Sequence, residues 1–314
     1  MKTGCSILPR DRSGRHRPVC YPFRMQTGAP SRTAWAAAAH RAAHQVLEGG
    51  RIFADPLALR ILGQDAEAVV RDAEQHPTGR IMRRFIAVRT RFAEDSLAAA
   101  VERGVRQLVV LGAGLDTYGY RSPFCDRLRV FEVDHPATQG WKRERLREAG
   151  IAVPASLTFA PVDFEQQTLA DGLAAAGFEP ALETFFTWLG VVPYLTESAV
   201  WSTLAFIAGL PGGAHVVFDY SDPPATLSPE MRAYHERRAA MVESLGEPWV
   251  THFDRDALAG KLQAVGFREV EDLGPRQIAC RFFPHRDAPP AEKGGHVLRA
   301  STRPVQELRR DGAE

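Results

Sequence analysis

The spacing of apolar and polar positions divides the chain into a helical front and an alternating body. From Ser31 the segment AWAAAAHRAAHQVL reads as one helix, capped by the Ser31 hydroxyl and stopped at Gly49-Gly50. A turn at Asp55-Pro56 opens a shorter helix. Ile81, Phe85, Val88 and Phe92 recur at helical spacing and predict a longer helix from Arg80 to Arg103, ended by Gly104. Short apolar runs follow at 107–111, 128–133, 156–162, 183–192 and 214–220, separated by stretches of helical length at 135–149, 165–176 and 196–209. Strands alternating with helices predict βαβ crossovers, hence an α/β fold whose mostly parallel sheet carries helices on both faces. Residues 221–250 break the rhythm, with Pro223, Pro224, Pro229 and Pro248 around a polar helix. A helix over 254–265 and two short strands, 268–273 and 278–283, are expected to close the fold. The Pro-, Gly- and Arg-rich tail from Pro284 is expected to lack fixed structure.

Charge and composition narrow the function classes. The 314 residues carry a formal net charge of +1. The first 24 hold six basic side chains against one acid, so the remainder is mildly acidic, at −4. A nucleic-acid binder that neutralises many phosphates has a strongly basic surface, so that partner is not expected. No apolar run reaches the roughly 18 residues of a membrane span, and no membrane partner is expected. The basic leader contains no apolar core of signal-peptide length, and Met25 is a second candidate start. Four cysteines, at 5, 20, 125 and 280, are too sparse for a disulfide framework; Cys125 and Cys280 read as small hydrophobes, and a cytoplasmic setting is expected. Oligomeric state is not fixed by the sequence.

The densest chemical signal is LVVLGAGLDTYGYR, residues 108–121: a strand, Gly112-x-Gly114, then a helix start. In a doubly wound sheet, ligands sit beyond the carboxyl ends of the strands, where glycine permits close backbone approach. Asp134 ends the next strand, twenty residues beyond Gly114, where an acid can accept hydrogen bonds from a ribose diol. A dinucleotide fingerprint wants glycine at 117, which is Thr117, and the chain has no Walker-type phosphate loop. Asp116 adds negative charge where a phosphate would come close. A ribose-bearing ligand without phosphate fits better, and S-adenosylmethionine has that character, with its ammonium near Asp116.

Arg89 flanks the buried helix stripe with no carboxylate three or four residues away, so its partner is either a cofactor carboxylate or an acid on another helix. Arg91, with Asp95 one turn on, reads as a solvated pair. His40 and His44 share a helix face, but Arg41 stands where a zinc-protease motif has glutamate, and no metal is expected. KRERLRE, 142–148, reads as the solvated face of a helix.

SRTAWAAAAHRA, FADPLA, RTRFAEDSLAAAV, LVVLGAGLDTYGYR, VFEVDHPATQGWKRERL, PVDFE, WLGVVPYLT and VVFDY occur in order, and together they resemble the leucine carboxyl methyltransferase family, more closely its actinobacterial branch of polyketide and other natural-product O-methyltransferases. The similarity runs from about Ser31 to Phe283. It implies a Rossmann-like class I S-adenosylmethionine-dependent methyltransferase fold: a seven-stranded sheet with its last strand antiparallel, extra N-terminal helices and a cap. It also implies that Arg89 holds the methionine carboxylate, Gly112 lies against the cofactor, Asp134 binds the ribose, and Asp163 and Phe164 flank the adenine. Two positions depart from the resemblance: Leu189 replaces a glutamate near the methionine end, and Tyr118 replaces an arginine after GLDT.

The resulting domain plan is a leader (1–30), N-terminal helices (31–104), a cofactor-binding core (105–220), a cap and substrate region (221–252), a C-terminal helix with strands (253–283) and a tail (284–314). Tyr194 is the leading polar candidate at the reacting centre. Tyr118, Tyr220, Trp249 and His252 are candidates to contact substrate. The expected activity is O-methylation of a small-molecule carboxylate or hydroxyl. The alternatives are methylation of a protein's C-terminal carboxylate and a cofactor-binding protein that transfers nothing.

Overall fold

The computed structural model describes residues 31–76, 79–164, 166–284 and 290–303. The leader, Met25, Cys5 and Cys20 lie outside them. Four helices come first: α1 (Arg32–Leu47), α2 (Ala58–Leu62), α3 (Ala66–Gln75) and α4 (Arg80–Glu102). Ser31 caps α1 by accepting from Ala34 N–H at 3.1 Å, and Gly49 and Gly50, at φ of 60° and 62°, turn the chain away. Along α4, Val88, Phe92 and Leu97 are fully buried, each contributing about 1.5–3 kcal/mol of apolar burial. Ile81, expected on that stripe, is 54% exposed, because the first turn of α4 projects beyond the sheet into a cavity wall.

The core alternates as expected: β1 (Gln107–Leu111), α5 (Tyr118–Arg121), β2 (Arg129–Asp134), α6 (Pro136–Glu148), β3 (Leu157–Pro161), α7 (Leu169–Ala175), β4 (Thr184–Trp188), α8 (Glu197–Ala208) and β5 (Ala214–Ser221). After β5 come α9 (Pro229–Ser244), α10 (Arg255–Val265), β6 (Glu269–Leu273), α11 (Pro275–Phe282) and β7 (Gly295–Ser301). The strands form one seven-stranded sheet in the order β3-β2-β1-β4-β5-β7-β6. β1 to β5 are parallel, and β7 is antiparallel to both β5 and β6.

Alternate side chains feed two cores. Val109, Leu111, Phe131, Phe186 and Phe218 face α7, α8 and α10, while Leu108, Val110, Val130, Phe185 and Val217 face α4 and α11. Leu111 pairs in register with Val133, so the residues that follow, Gly112 and Asp134, emerge side by side where the strand order reverses between β1 and β4.

Four expectations need correction. Residues 278–283 are not a strand: Pro275 starts a helix whose Ile278, Ala279 and Phe282 pack on one face. The seventh strand instead lies in the expected tail, at 295–301, so the folded body extends through the last described residues. β7 is flanked on both sides, and its polar His296 is satisfied by Asp222 and Asp272 from neighbouring elements, which linear spacing cannot show. Lys142 is not solvated; it is 1% exposed and 2.7 Å from Glu132 of β2. Cys125 and Cys280 are exposed rather than core residues. Among the described residues no helix is long and apolar enough to cross a membrane.

Candidate active site

A cavity of about 1150 Å³ opens beyond the carboxyl ends of the parallel strands, walled by α1, α4 and α9. Gly112 and Gly114 enter it with φ of 64° and 44°, conformations that side-chain-bearing residues rarely adopt. A Cβ on Gly112 would overlap the Val191 side chain, and one on Gly114 would come within 2.9 Å of the Ala34 methyl. Asp134 binds the loop: Oδ2 accepts from Gly114 N–H at 2.6 Å and Oδ1 from His135 N–H at 2.7 Å. Burial pushes the Asp134 carboxyl up from its ordinary value against these two N–H donors. Asp116 lines the same cavity and accepts from Tyr118 N–H at 2.8 Å. Asp163 and Phe164 follow β3 on the cavity wall; Gln166 donates to Asp163 at 2.6 Å, and Phe164 is 62% exposed at the rim.

The other end of this wall is built on Arg89. Its Nη1 lies 2.8 Å from Asp219 Oδ2 on β5, while Asp219 Oδ1 accepts from Gly190 N–H at 2.5 Å. The partner of Arg89 is therefore an acid on a strand, a contact between residues 130 positions apart. Arg89 Nε remains buried without a partner among the described residues. Leu189 and Tyr194 stand beside this pair on the wall. Burial raises the Tyr194 phenol above its usual range, although the Trp249 indole N–H and the Thr33 hydroxyl approach its oxygen. Glu247, after α9, accepts from Arg32 N–H at 3.0 Å and from the Thr33 hydroxyl, so the cap segment closes onto the start of α1.

Residues 34–208 match the model of the family described as leucine carboxyl methyltransferase. The chain belongs to the leucine carboxyl methyltransferase family. A Frankia alni protein with the provisional name of an S-adenosyl-L-methionine-dependent methyltransferase is 30% identical over 257 residues, 79% of this chain and 87% of its own. YktD of Bacillus subtilis, provisionally named likewise, is 35% identical over 200 residues, 63% of this chain. The match covers 66% of YktD and 45% of a Mycobacterium avium relative, so it spans less than two thirds of those proteins. Among solved structures, a methyltransferase-like protein from Thermobifida fusca shares the fold at a TM-score of 0.52 and 17% identity, over 90% of this chain and 98% of that one.

Within this leucine carboxyl methyltransferase family member, the cavity brings together Arg89, Gly112, Gly114, Asp116, Asp134, Asp163, Phe164, Leu189, Tyr194, Tyr220 and Trp249. Two expected substrate contacts lie elsewhere. Tyr118 is 7% exposed and packs in the core under the Arg121 guanidinium, because the short α5 turns it away from the cavity. His252 stands behind His235, with their Nε2 atoms 3.1 Å apart, and it is His235 that reaches the wall. Tyr220 is on the wall, but its hydroxyl donates to Asp272 and stays in the core. Spacing alone did not reveal Asp219, Glu247 or His235. The only available signal for Asp219 was its place in VVFDY at the end of the fifth strand.

Proposed function

We propose that this chain transfers a methyl group from S-adenosylmethionine to an oxygen, carboxylate or hydroxyl, of a small polyketide-like molecule. The observation that carries this reading is the convergence on one cavity wall of the paired Gly112 and Gly114 turn, the Asp134 carboxylate and the Arg89 guanidinium. The donor set suits the cofactor: Gly112 leaves room for a close ligand, Asp134 offers acceptors to ribose hydroxyls, and Arg89 has a buried Nε without a partner among the described residues. When bound, S-adenosylmethionine supplies an electrophilic methyl group on a sulfonium.

The residues divide the remaining work. Asp163 accepts from the adenine amine and Phe164 covers the ring. Arg89, held at a fixed angle by Asp219, donates to the methionine carboxylate, and Asp116 faces the ammonium. Leu189 brings no acceptor to that end, which leaves Asp116 and the Asp219-bound Gly190 turn to define it. Tyr194 presents its hydroxyl to the acceptor. A carboxylate acceptor is already nucleophilic, so alignment and exclusion of water supply most of the acceleration. A hydroxyl acceptor would draw on a base, and His235, whose imidazole burial pushes below its ordinary value, lies on the wall for it.

Incubation with methyl-labelled S-adenosylmethionine and a panel of aromatic acids and phenols tests the reading. Label in an ester or methyl ether supports it. Label appearing only in a peptide's C-terminal carboxylate would move the acceptor to proteins, and binding without transfer to any acceptor would remove the enzymatic reading.

A further inference from the structure

The cavity is larger than one cofactor needs. Ligand pockets for a drug-sized molecule span about 300–1,000 Å³, and this one holds about 1150 Å³. Its outer part lies between the first turns of α4 and the inward face of α9, lined by apolar side chains such as Phe85, Met231 and Ile278. Two guanidinium groups stand in that apolar wall: Arg84 from α4 and Arg238 from α9. Arg84 is five residues before Arg89, which places it about 7–8 Å along the helix from the proposed cofactor end. Tyr234, one turn before Arg238, lies against the Met82 backbone, so α9 brings Arg238 to the same end of α4.

Glu48 lies close enough to favour the Arg84 charge, but neither arginine forms an ion pair with a carboxylate among the described residues. Arg84 Nε and Arg238 Nε are both buried without a hydrogen-bond partner among the described residues. Arg84 stacks over Phe283 at 5.4 Å, and Arg238 Nη1 approaches the Met241 thioether at 3.7 Å. The nearby acid, Glu48, is taken by Arg83 at 2.6 Å, with Arg80 at 4.0 Å. The acids of the inner cavity are engaged as well: Asp219 with Arg89, Glu247 with the start of α1, Asp134 with the glycine loop. His40, on the same wall, is pushed down to about 3 by burial, then by the charges of Arg238, Arg83 and Arg89, which places Arg238 close to these cations. Each half-buried guanidinium keeps one buried Nε–H without a partner among the described residues, and an oxyanion on a ligand would satisfy it with a charge-assisted hydrogen bond.

Building on the methyltransferase reading, we infer that the acceptor is an apolar molecule bearing an anionic oxygen group, and that Arg84 and Arg238 select it by gripping that group between α4 and α9. These two residues set acceptor choice and take no part in holding the methyl donor.

The test measures binding rather than turnover. Calorimetry follows titration of two matched pairs, 2-naphthoate with 2-naphthamide and decanoate with decanol, in the presence and absence of S-adenosylhomocysteine. The expected result is at least tenfold tighter binding of the anion in one pair or both. Arg84→Gln/Arg238→Gln should abolish the preference while leaving the neutral probe and the S-adenosylhomocysteine affinity unchanged. Arg238→Gln alone, on the more solvated α9, should reduce the preference severalfold and serves if the double variant does not fold. Equal affinity within both pairs, no binding of either anion, or a preference that survives in the variants would overturn the inference. Loss of S-adenosylhomocysteine binding with the anion preference intact would overturn the methyltransferase reading instead.

Discussion

Arg89 Nη1 and Asp219 Oδ2, 2.8 Å apart, form a buried ion pair that joins the middle of α4 to the carboxyl end of β5. The second Asp219 oxygen holds the Gly190 N–H, so one carboxylate fixes both the guanidinium and the turn after β4. Removing one partner of a buried pair typically costs about 3–5 kcal/mol, since the other charge stays buried. Asp219→Ala should therefore lose about that much stability in urea denaturation. Asp219→Asn, which keeps an acceptor for Gly190, should lose less. Equal losses would mean that the Gly190 hydrogen bond adds nothing and that the lost charge opposite Arg89 accounts for the whole effect.

Beneath the glycine loop, Lys142 and Glu132 form a second buried pair, at 2.7 Å, with the Tyr120 hydroxyl donating to Glu132 at 3.0 Å. Burial raises the Glu132 carboxyl to about 7, with Lys142 opposing the rise. Lys142→Met removes that opposition. A carboxyl whose folded pKa is raised favours the fold while protonated and loses that contribution as pH rises through the folded value. The variant's deficit should thus be larger at pH 8.5 than at pH 6, and Glu132→Gln in the same chain should flatten the difference. A deficit independent of pH would show that Lys142 does not shift the Glu132 titration within this range.

Gly112→Ala meets two obstacles, a φ of 64° and the Val191 side chain. It should weaken S-adenosylhomocysteine binding at least tenfold by calorimetry. Adding Val191→Ala relieves the overlap but not the backbone strain, so affinity should return only in part. Full affinity in Gly112→Ala would show that the ligand does not approach this turn.

His296 lies 2.9 Å from Asp272 and 3.0 Å from Asp222. Burial opposes its charge, but the hydrogen bonds to Asp222 and Asp272 outweigh it and raise its pKa. Stability from this contact is complete below the unfolded histidine value of about 6.5 and is lost as pH rises through the folded one. Melting temperature should fall over that range in the native chain, and His296→Gln should remove this component. An unchanged slope in the variant would place the pH dependence elsewhere.

The sequence carried the parts of this molecule whose information is local. Ser31 capping α1, the five parallel strands and the Gly112–Asp134 relation each depend on residues close together or on one βα step. β7 was hidden because a strand flanked on both sides tolerates His296 and Ser301 when neighbours satisfy them. Lys142 looked solvated because its counter-charge sits on β2, across the sheet and not along the helix. Asp219 is illegible for the same reason, since its partner Arg89 lies 130 positions away along the chain. Tyr118 and His252 were drawn toward the cavity by the positions of their loops, whereas the short α5 and the interposed His235 decide where those side chains go.

Calorimetric titration of S-adenosylhomocysteine into the native chain and Asp134→Ala tests the central claim most directly. The structure leads us to expect one saturable site in the native chain, at least tenfold weaker binding in Asp134→Ala, and no saturable heat with NAD. Absence of binding to the native chain, equal affinity in the variant, or a saturable NAD response would contradict it.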